Sequence, residues 1–597
     1  MDEARLNKLI ADVGAGRLSR RGFVRRMVAL GLSAPMAGMM LAHRGIAFAQ
    51  PADTYKPAKA GGGGPLKLLF WQAPTLINPH FAVGSKDQEG SRIFYEPLAA
   101  WDEDGNLVPV LAAELPSLEN GAVTRDGKSV TWKLRRDVKW HDGRPFTADD
   151  VLFTYEYVSN PATAATTSGS YQGIASVEKL DDFTFKVLFK QPAPFWADAF
   201  VAAPGMIIPK HHFKDYVGDK SRDAPANLAP VGTGPYKFLE FRPGDMLRGE
   251  RNLLYYLPNR PFFDTIEMKG GGDAVSAARA VLQAGEYDYA WNMQVEDEQL
   301  KRFEAGGKGR LDMPFAANLE FIVLNATDPN VEVDGERSSV KTKHPAFSDP
   351  AVRHAMNLLV DRDSIQKFIY GRTARATANV LNGPERYVSK NTSYEFNVAK
   401  ANQILDEAGW KKGGDGLRAK DGKKLKFVFQ TSINAPRQKT QAIIKQAAQK
   451  AGIEIEIKSI PATVFFSSDV ANPDTYGHFY ADMEMVTFST VQPDPARWML
   501  YYVSWEASSK ENKWQSRNIS RYMSAEADKL YREAAVELDP VKRAALFIRM
   551  NDVIVADAQV LPLLHRAQVG AFRKSMVAVT GGWDNSLAFL RDWYREG

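Results

Sequence analysis

Alternating apolar and polar residues predict a β-strand at Val130–Leu134, and the residues that follow predict a turn and then a helix. The turn is His141–Pro145, which contains a glycine. Thr147 then stands three residues ahead of Asp150, which is the spacing of a helix-initiating capping box. Apolar residues continue at helical spacing, namely Val151, Tyr155 and Val158. The stretch therefore predicts a strand, a turn and a capped helix.

Similar patterns in both halves of the chain predict a mixed α/β protein. Phe183–Phe189 alternates like a half-buried strand, and Leu319–Asn325 is an apolar strand that ends in Asn. Leu425–Gln430 and Ile453–Ile460 predict two strands on either side of a helix at Gln438–Ala451. A strand-helix-strand unit of this kind normally makes a parallel pair with a right-handed connection.

Length and composition narrow the class of protein. A chain of 597 residues exceeds what one hydrophobic core usually supports, so at least two lobes are expected. The net charge of +5 belongs to residues 1–50, which hold eight of the 76 Lys/Arg and three of the 71 Asp/Glu; the rest carries 68 of each. This balance gives no indication of a nucleic-acid partner. The absence of cysteine excludes disulfides, thiolate metal sites, thiol catalysis and lipid attachment to a cysteine.

The beginning of the chain has the features of an export signal. An arginine pair in Ser19–Val24 is followed by a mildly apolar run, Met27–Ala42, and then by the small-x-small sequence Ala47–Ala49. This order predicts a twin-arginine signal peptide at 1–49, with an amphipathic N-terminal helix as the alternative. Residues 50–65 lack periodicity and are rich in glycine, so they predict a flexible linker. We therefore expect a soluble periplasmic protein without a lipid anchor.

Several short motifs follow one another in a distinctive order along the chain. They are Glu96–Leu98 (E-P-L), Trp132–Arg135 (W-x-L-R), Trp140–Val151 (W-H-D-G-x-P-F-T-A-x-D-V), Val231–Tyr236 (V-G-T-G-P-Y) and Asp349–Ile365, which begins D-P-x-V-R. In this order the motifs resemble the family 5 extracytoplasmic solute-binding proteins, which are the peptide, nickel and opine receptors of ABC importers. The resemblance covers nearly all of the chain after about Leu66, which makes it far more specific than a single motif.

The resemblance implies an α/β fold class: a two-lobed periplasmic binding protein of type II, in the large cluster with an extra subdomain in the first lobe. It places lobe I at 66–322 with the extra subdomain at 93–230, lobe II at 323–555, and a return to lobe I at 556–597. It also implies that a small peptide-like solute is captured between the lobes and delivered to ABC permease and ATPase subunits at the inner membrane. A monomer is expected.

The resemblance also indicates residues that would contact the solute. The first strand ends at Trp71 and Gln72, which would face the cleft, although a core position explains Trp71 equally well. Trp291 continues the family pattern after Gly-Glu-Tyr-Asp. Five further candidates lie in one segment of the second lobe: Phe488, Val491, Gln492, Asp494 and Trp498. Aromatic residues of this segment could stack on a planar, sugar or apolar ligand, with core packing as the alternative.

Val491 occupies a position that bears on the ligand class. In peptide-binding relatives an acid stands between an aromatic residue and an Asp/Glu-Pro pair, and it binds the α-ammonium group of the ligand. Here Phe488 is the aromatic residue and residues 494–495 are the pair, so valine replaces the acid. A buried ammonium group without its partner is strongly disfavoured. The sequence therefore argues against peptides with a free amino terminus and allows blocked peptides, opines and sugar conjugates.

Three acids near Val491 could replace the missing carboxylate. Asp494 is better explained as a turn or cap residue than as an anchor for the ligand. Asp482 and Glu484 precede it on a predicted strand, where solvated surface positions are expected.

No group of residues has the spacing of a catalytic or metal site. His141 and Asp142 are neighbours in a turn and are expected to be structural. His211 and His212 are adjacent, and we expect them to point apart. Hydrolase motifs are absent. We therefore predict no catalytic residues, no metal, no cofactor and no enzymatic activity. A periplasmic peptide hydrolase with a triad assembled only in the fold, and a ligand-sensing receptor for a signalling partner, remain alternatives.

Overall fold

A computed structural model of the chain describes residues 3–15, 17–28, 40–41, 55–103, 105–316, 318–467, 469–489 and 492–596. The α-helices are Glu3–Gly14, Arg20–Val28, Ser85–Arg92, Ala148–Ser159, Lys210–Phe213, Ala274–Arg279, Asp297–Glu304, Pro350–Leu358, Arg362–Ile365, Val398–Glu407, Ala435–Lys450, Ala462–Phe465, Ala496–Met499, Ala525–Val536 and Pro540–Asp557.

The strands are β1 Pro65–Leu69, β2 Ala99–Trp101, β3 Leu107–Pro109, β4 Ser129–Lys133, β5 Ile174–Asp181, β6 Thr184–Phe189, β7 Tyr236–Arg242, β8 Met246–Arg251, β9 Thr265–Lys269, β10 Tyr289–Ala290, β11 Gly309–Asp312, β12 Asn318–Leu324, β13 Glu332–Val333, β14 Glu336–Arg337, β15 Ala374–Ala376, β16 Lys411–Lys412, β17 Arg418–Lys420, β18 Lys423–Lys424, β19 Lys426–Ser432, β20 Glu454–Ile460, β21 Met483–Phe488, β22 Val560–Arg566, β23 Gly570–Arg573, β24 Met576–Val577 and β25 Tyr594–Arg595.

A seven-stranded mixed sheet organises the first part of the molecule, in the order β11-β23-β10-β1-β9-β8-β7. Strand β1 is parallel to β9 and β10, and the other pairs are antiparallel. The antiparallel sheet β4-β6-β5 contributes to the same hydrophobic core as β1. We call the seven-stranded sheet and the elements packed on it the first body.

A six-stranded sheet organises the second body, in the order β15-β22-β12-β21-β19-β20. All residues of β12 are buried, because one hydrophobic core packs on each face of the sheet. The predicted strand-helix-strand unit is confirmed: β19 and β20 are parallel, and the helix Ala435–Lys450 connects them. Side chains of β12 alternate between the two cores, with Ile322 on one face and Phe321 on the other.

The predicted strand, turn and capped helix are also present. The strand is β4, and the helix Ala148–Ser159 begins at Thr147 with a complete capping box. The backbone N–H of Thr147 donates to Oδ2 of Asp150 at 3.1 Å. These side-chain bonds satisfy backbone groups that the first helical turn leaves unpaired.

Two strands near the expected lobe boundaries lie in the second sheet and not in the first. We expected residues up to 322 in lobe I and residues 556–597 in its return, but β12 and β22 pair with each other in the second sheet. Strand β22 is apolar and lies between β12 and β15, so its backbone groups find partners on both sides. The chain therefore rejoins the first body only at β23.

The N-terminal segments are described in part. The arginine pair of the predicted signal lies in the helix Arg20–Val28, which packs against Glu3–Gly14 through buried apolar residues. The predicted cleavage site at 47–49 lies outside the described residues. The described part of the predicted linker, 55–64, is bound to the first body. Oδ1 and Oδ2 of Asp264 accept hydrogen bonds from the backbone N–H groups of Gly62 and Gly64. Among the described residues, no helix combines the length and apolar character needed to cross a membrane.

Candidate functional site

Two adjoining cavities lie between the first and second bodies. The larger has about 1080 Å³ of empty space, partly open to solvent, and the smaller about 870 Å³. Both are lined by the following residues: Gly84, Ser85, Phe466, Thr487 and Ser489. The start of the helix Ser85–Arg92 forms the wall on the first body, and the end of β21 forms the wall on the second. A small molecule in this space would contact both bodies.

An aromatic cluster lines the larger cavity on the second body. The rings of Phe488 and Tyr501 are stacked with centroids 4.5 Å apart, and Trp498 lies 5.3 Å from Tyr501. The indole N–H of Trp498 donates to the carbonyl oxygen of Val380 at 2.7 Å, which fixes the ring. Phe488 and Trp498, two of the predicted contact residues, therefore lie together at the cavity wall. Stacked rings of this kind suit an apolar or planar group.

Two arginines give the larger cavity a positive end. Arg517 donates from Nη1 to the hydroxyl of Tyr501 at 3.2 Å, and its guanidinium lies over that ring. Arg497 is buried, and its Nη1 has no hydrogen-bond partner among the described residues; Oδ1 of Asp198 is 3.9 Å away. Burial and repulsion from Arg517 lower the pKa of Arg497 to about 10, so it remains charged at neutral pH. A buried guanidinium nitrogen that makes no hydrogen bond within the fold favours an anionic ligand group at this end.

A buried ion cluster forms the base of the smaller cavity. Glu320 of β12 accepts from Nε of Arg437 at 2.6 Å and from Nη1 of Arg566 at 2.9 Å. Thr487 donates to the same carboxylate. Burial raises the pKa of Glu320, but attraction to the two arginines outweighs it, so the pKa lies below its ordinary value. Two guanidinium groups against one carboxylate leave a positive charge in this wall.

Gln72 and Trp291, both predicted contact residues, line the smaller cavity. Asn292 donates from Nδ2 to Oε1 of Gln72 at 2.9 Å, and the Trp291 ring stacks on Phe70 with centroids 5.2 Å apart. Trp71 does not line either cavity. It packs in a hydrophobic core of the first body, which is the alternative position expected for Trp71.

Gln492 and Asp494 are buried and line neither cavity. Asp494 accepts from Nη2 of Arg543 at 2.9 Å and from the backbone N–H of Ala496 at 2.9 Å, so it forms a turn just before the short helix that carries Arg497. A turn or cap role was expected for Asp494, but its ion pair with Arg543 was not. Val491 lies outside the described residues, and its role at the ammonium position stays a prediction.

Asp482 and Glu484 are not solvated, which corrects the expectation for both. Glu484 is fully buried and accepts from Nε2 of Gln430 at 2.6 Å. Burial raises its pKa well above the ordinary range. Asp482 accepts from the backbone N–H of Val428 at 2.6 Å and contacts Nε2 of His344 at 3.0 Å. Both acids belong to the packed interior around β21 because that strand lies between two others in the sheet.

The histidines also differ in part from the expectation. His141 is structural, as expected, because its ring nitrogens contact the backbone of Gly232 and Gly234. His211 and His212 do not point apart. Both rings approach Asp142, since the short helix Lys210–Phe213 packs beside the turn that holds it.

Glu89 is a cavity residue that the sequence did not indicate. It accepts from the backbone N–H groups of Ser586 and Leu587 at 2.8 and 3.0 Å, and burial raises its pKa to about 7. Arg497 and Arg517 were missed in the same way. A single acid or arginine in a loop or a short helix carries no local signal, because only long-range packing brings it to the cavity.

Comparison with known proteins agrees with this architecture. Residues 106–509 match the sequence model of the bacterial extracellular solute-binding proteins, family 5 Middle. The chain is 28% identical over 485 residues to the oligopeptide-binding protein AppA of Bacillus subtilis strain 168, covering 79% of this chain and 80% of that protein. It is 23% identical over 522 residues to the glutathione-binding protein GsiB of Escherichia coli strain K12, covering 85% and 90%.

A solved structure shows the same fold. The structure of AppA from Bacillus subtilis in complex with a nonapeptide aligns with a TM-score of 0.77 and 24% identity, over 91% of this chain and all of that one. The fold is therefore that of the type II periplasmic binding proteins, with mixed α/β sheets.

Proposed function

Since the chain belongs to the bacterial extracellular solute-binding proteins of family 5, we propose that it is the periplasmic substrate-binding component of an ABC transporter. In this role it captures a peptide-like or amino-acid-conjugate solute between its two bodies and delivers it to the permease for import. The observation that carries the proposal is the cavity between the bodies, with stacked aromatic rings on one wall and two arginines at one end. Closure of the bodies around the solute would exclude water.

The cavity favours a solute with a carboxylate and an apolar group. The carboxylate would pair with Arg497 and Arg517, and the apolar group would contact Phe488 and Trp498. Gln72 and Trp291 would contact the part of the solute that extends into the smaller cavity. Relatives named for oligopeptides and glutathione support this class, since such ligands carry carboxylates.

The other end of the solute is proposed to lack a free ammonium group. This rests on Val491, where peptide-binding relatives have an acid. Among the described acids near that segment, Asp494 is paired with Arg543 and Glu484 is enclosed in the sheet, so neither is available to an ammonium group. Blocked peptides, opines and sugar conjugates fit this requirement.

The proposed cellular context follows from the family and the leader. Residues 1–49 would direct export by the twin-arginine route, and the mature protein would act in the periplasm as a monomer without a lipid anchor. Its partners would be ABC permease and ATPase subunits. The proposed division keeps lobe I with the subdomain at 93–230, lobe II and a C-terminal return to lobe I. It assigns β12 and β22 to lobe II, because both strands belong to the second sheet.

Calorimetry with three related probes tests the ligand class. The probes are the tripeptide Ala-Phe-Ala, its N-acetyl derivative and its C-terminal amide. We expect acetylation to preserve or improve binding and amidation to weaken it about tenfold or more, because the amide cannot pair with the arginines. Binding that requires a free amino terminus and tolerates the amide would overturn the proposed orientation and the role of Val491.

Two further observations separate the alternatives. Incubation of the purified protein with the tripeptide should give stoichiometric binding and no product over time, whereas accumulating amino acids would indicate a hydrolase. Deletion of the gene should abolish uptake of the bound solute. A signalling receptor would bind the solute equally well but leave its uptake unchanged.

A further inference from the structure

Two histidines and an aspartate from distant parts of the sequence meet on the surface of the first body. Nε2 of His211 lies 2.8 Å from Oδ2 of Asp142, and Nε2 of His212 lies 3.4 Å from the same oxygen. One donor atom from each of the three side chains lies within 4.8 Å of the others. None of the three lines the cavities between the bodies, so the cluster is separate from the proposed solute site.

Buried neighbours hold the elements that carry the three side chains. Asp150 accepts from the indole N–H of Trp140 at 3.1 Å and from the backbone N–H of Lys210 at 3.0 Å, which links the turn to the short helix. Phe213 is fully buried and anchors the other end of that helix. The Trp140 ring also meets the His211 ring edge to face, with centroids 6.3 Å apart. The cluster is thus positioned by the folded core.

We propose that Asp142, His211 and His212 bind a divalent transition-metal ion, with Zn²⁺ as the best match. Two imidazole nitrogens and one carboxylate oxygen are a donor set that suits Zn²⁺ and its neighbours Ni²⁺ and Cu²⁺. Three protein donors leave at least one position for water. The ion would replace the contacts that now join the two histidines to the aspartate.

The hydrogen bonds around the cluster leave donor atoms directed toward its centre. Nε2 of His212 has no hydrogen-bond partner among the described residues. Oδ1 of Asp142 accepts from the backbone N–H of Arg144 at 3.2 Å, and Oδ2 is the oxygen that faces the two histidines.

One nearby charge opposes metal binding. Nε of Arg144 lies 4.0 Å from Oδ2 of Asp142. The Arg144 side chain is 65% exposed, so it can turn into solvent when an ion binds. Removing this cation should therefore strengthen binding.

A bound ion would tie the turn to the helix. The donors of Asp142 and His211 are 69 residues apart in sequence, so an unfolded chain would not present them together. Binding to the folded state alone raises its stability in proportion to the logarithm of ion concentration over the dissociation constant.

Titration of the metal-free full-length protein with ZnCl₂ tests the site. We expect one saturable equivalent by calorimetry and a zinc-dependent rise in the unfolding temperature. His212→Asn and Asp142→Asn should lose both effects. His354→Asn, which alters an exposed histidine outside the cluster, is the matched control and should retain both. Arg144→Gln should bind zinc more tightly than the wild-type protein.

Cobalt provides a readout that does not depend on stability. Co²⁺ at the site should give visible absorption bands at one equivalent, and these should be absent in His212→Asn and present in His354→Asn. Circular dichroism of the zinc-free variants establishes that they are folded. Equal zinc binding by the wild-type protein, His212→Asn and Asp142→Asn, or no saturable equivalent in the wild-type protein, would overturn the proposal.

Discussion

Nε of Arg437 donates to Oε1 of Glu320 at 2.6 Å, and both side chains are almost completely buried. Glu320 lies within β12, and Arg437 lies in the first turn of the helix that connects β19 to β20. Arg566 completes the cluster from β22. The two arginines line the smaller cavity, so a contact that supports the centre of the second sheet also forms part of the candidate binding surface.

Glu320→Gln is expected to destabilise the protein by about 3–5 kcal/mol, because it leaves two buried guanidinium groups without their carboxylate. Chemical denaturation measures this change. The control is Glu526→Gln, which breaks an exposed pair with Arg549 and should cost less than about 1 kcal/mol. Equal losses in the two variants would show that the buried cluster is not a major source of stability.

Glu89 should make stability depend on pH. The folded protein has a raised pKa of about 7 at Glu89, against 4.5 for an ordinary glutamate, so between these values only the folded state holds the proton. The proton on Glu89 therefore stabilises the folded state fully below about pH 4.5. This stabilisation, up to about 3 kcal/mol, is lost as the pH rises through about 7.

Denaturation of the wild-type protein and Glu89→Gln at a series of pH values measures this effect. The difference between the two unfolding free energies should change steadily from about pH 5 to about pH 8. Glu407→Gln, on an exposed helix surface, should follow the wild-type curve. A difference that does not vary with pH would contradict the assignment.

Arg517→Gln is expected to weaken binding of a carboxylate-bearing solute about tenfold or more, because it removes a charge-assisted contact. Calorimetry with N-acetyl-Ala-Phe-Ala measures the loss. Arg532→Gln is the matched control, since Arg532 also lies over an aromatic ring, Trp505, but is exposed and outside both cavities. The proposed role of Arg517 fails if both variants bind like the wild-type protein.

The fold was predictable wherever its signals are local. Alternation, the capping box at Thr147 and the crossover between β19 and β20 each depend on a few neighbouring residues, and the structure confirms them. The lobe boundary at β22 was not predictable, because the sequence of an apolar strand does not indicate which sheet contains it. Sheet membership depends on pairing with β12, more than 200 residues earlier in the chain.

The candidate site was predictable only in part. Phe488, Trp498, Gln72 and Trp291 reach the cavities, as the family resemblance implied. Trp71 turns into the core instead. One missed residue did carry a signal, since Glu320 stands within an apolar strand and a buried acid needs a cation nearby.

The neighbouring positions of His211 and His212 in the sequence did not predict that both rings approach Asp142. Neighbouring side chains diverge on a regular helix, but here the helix Lys210–Phe213 is a single turn set against Asp142. Its position depends on Asp150 and Trp140. Long-range packing of this kind leaves no trace in residue spacing.

Native mass spectrometry of the protein purified without refolding tests the central claim most directly. We predict one small, carboxylate-bearing solute bound per chain, released intact on denaturation, with reduced occupancy in Arg517→Gln and unchanged occupancy in Arg532→Gln. A chain that carries no solute and gives no heat with any of the tripeptide probes, or a solute retained equally by both variants, would contradict the account.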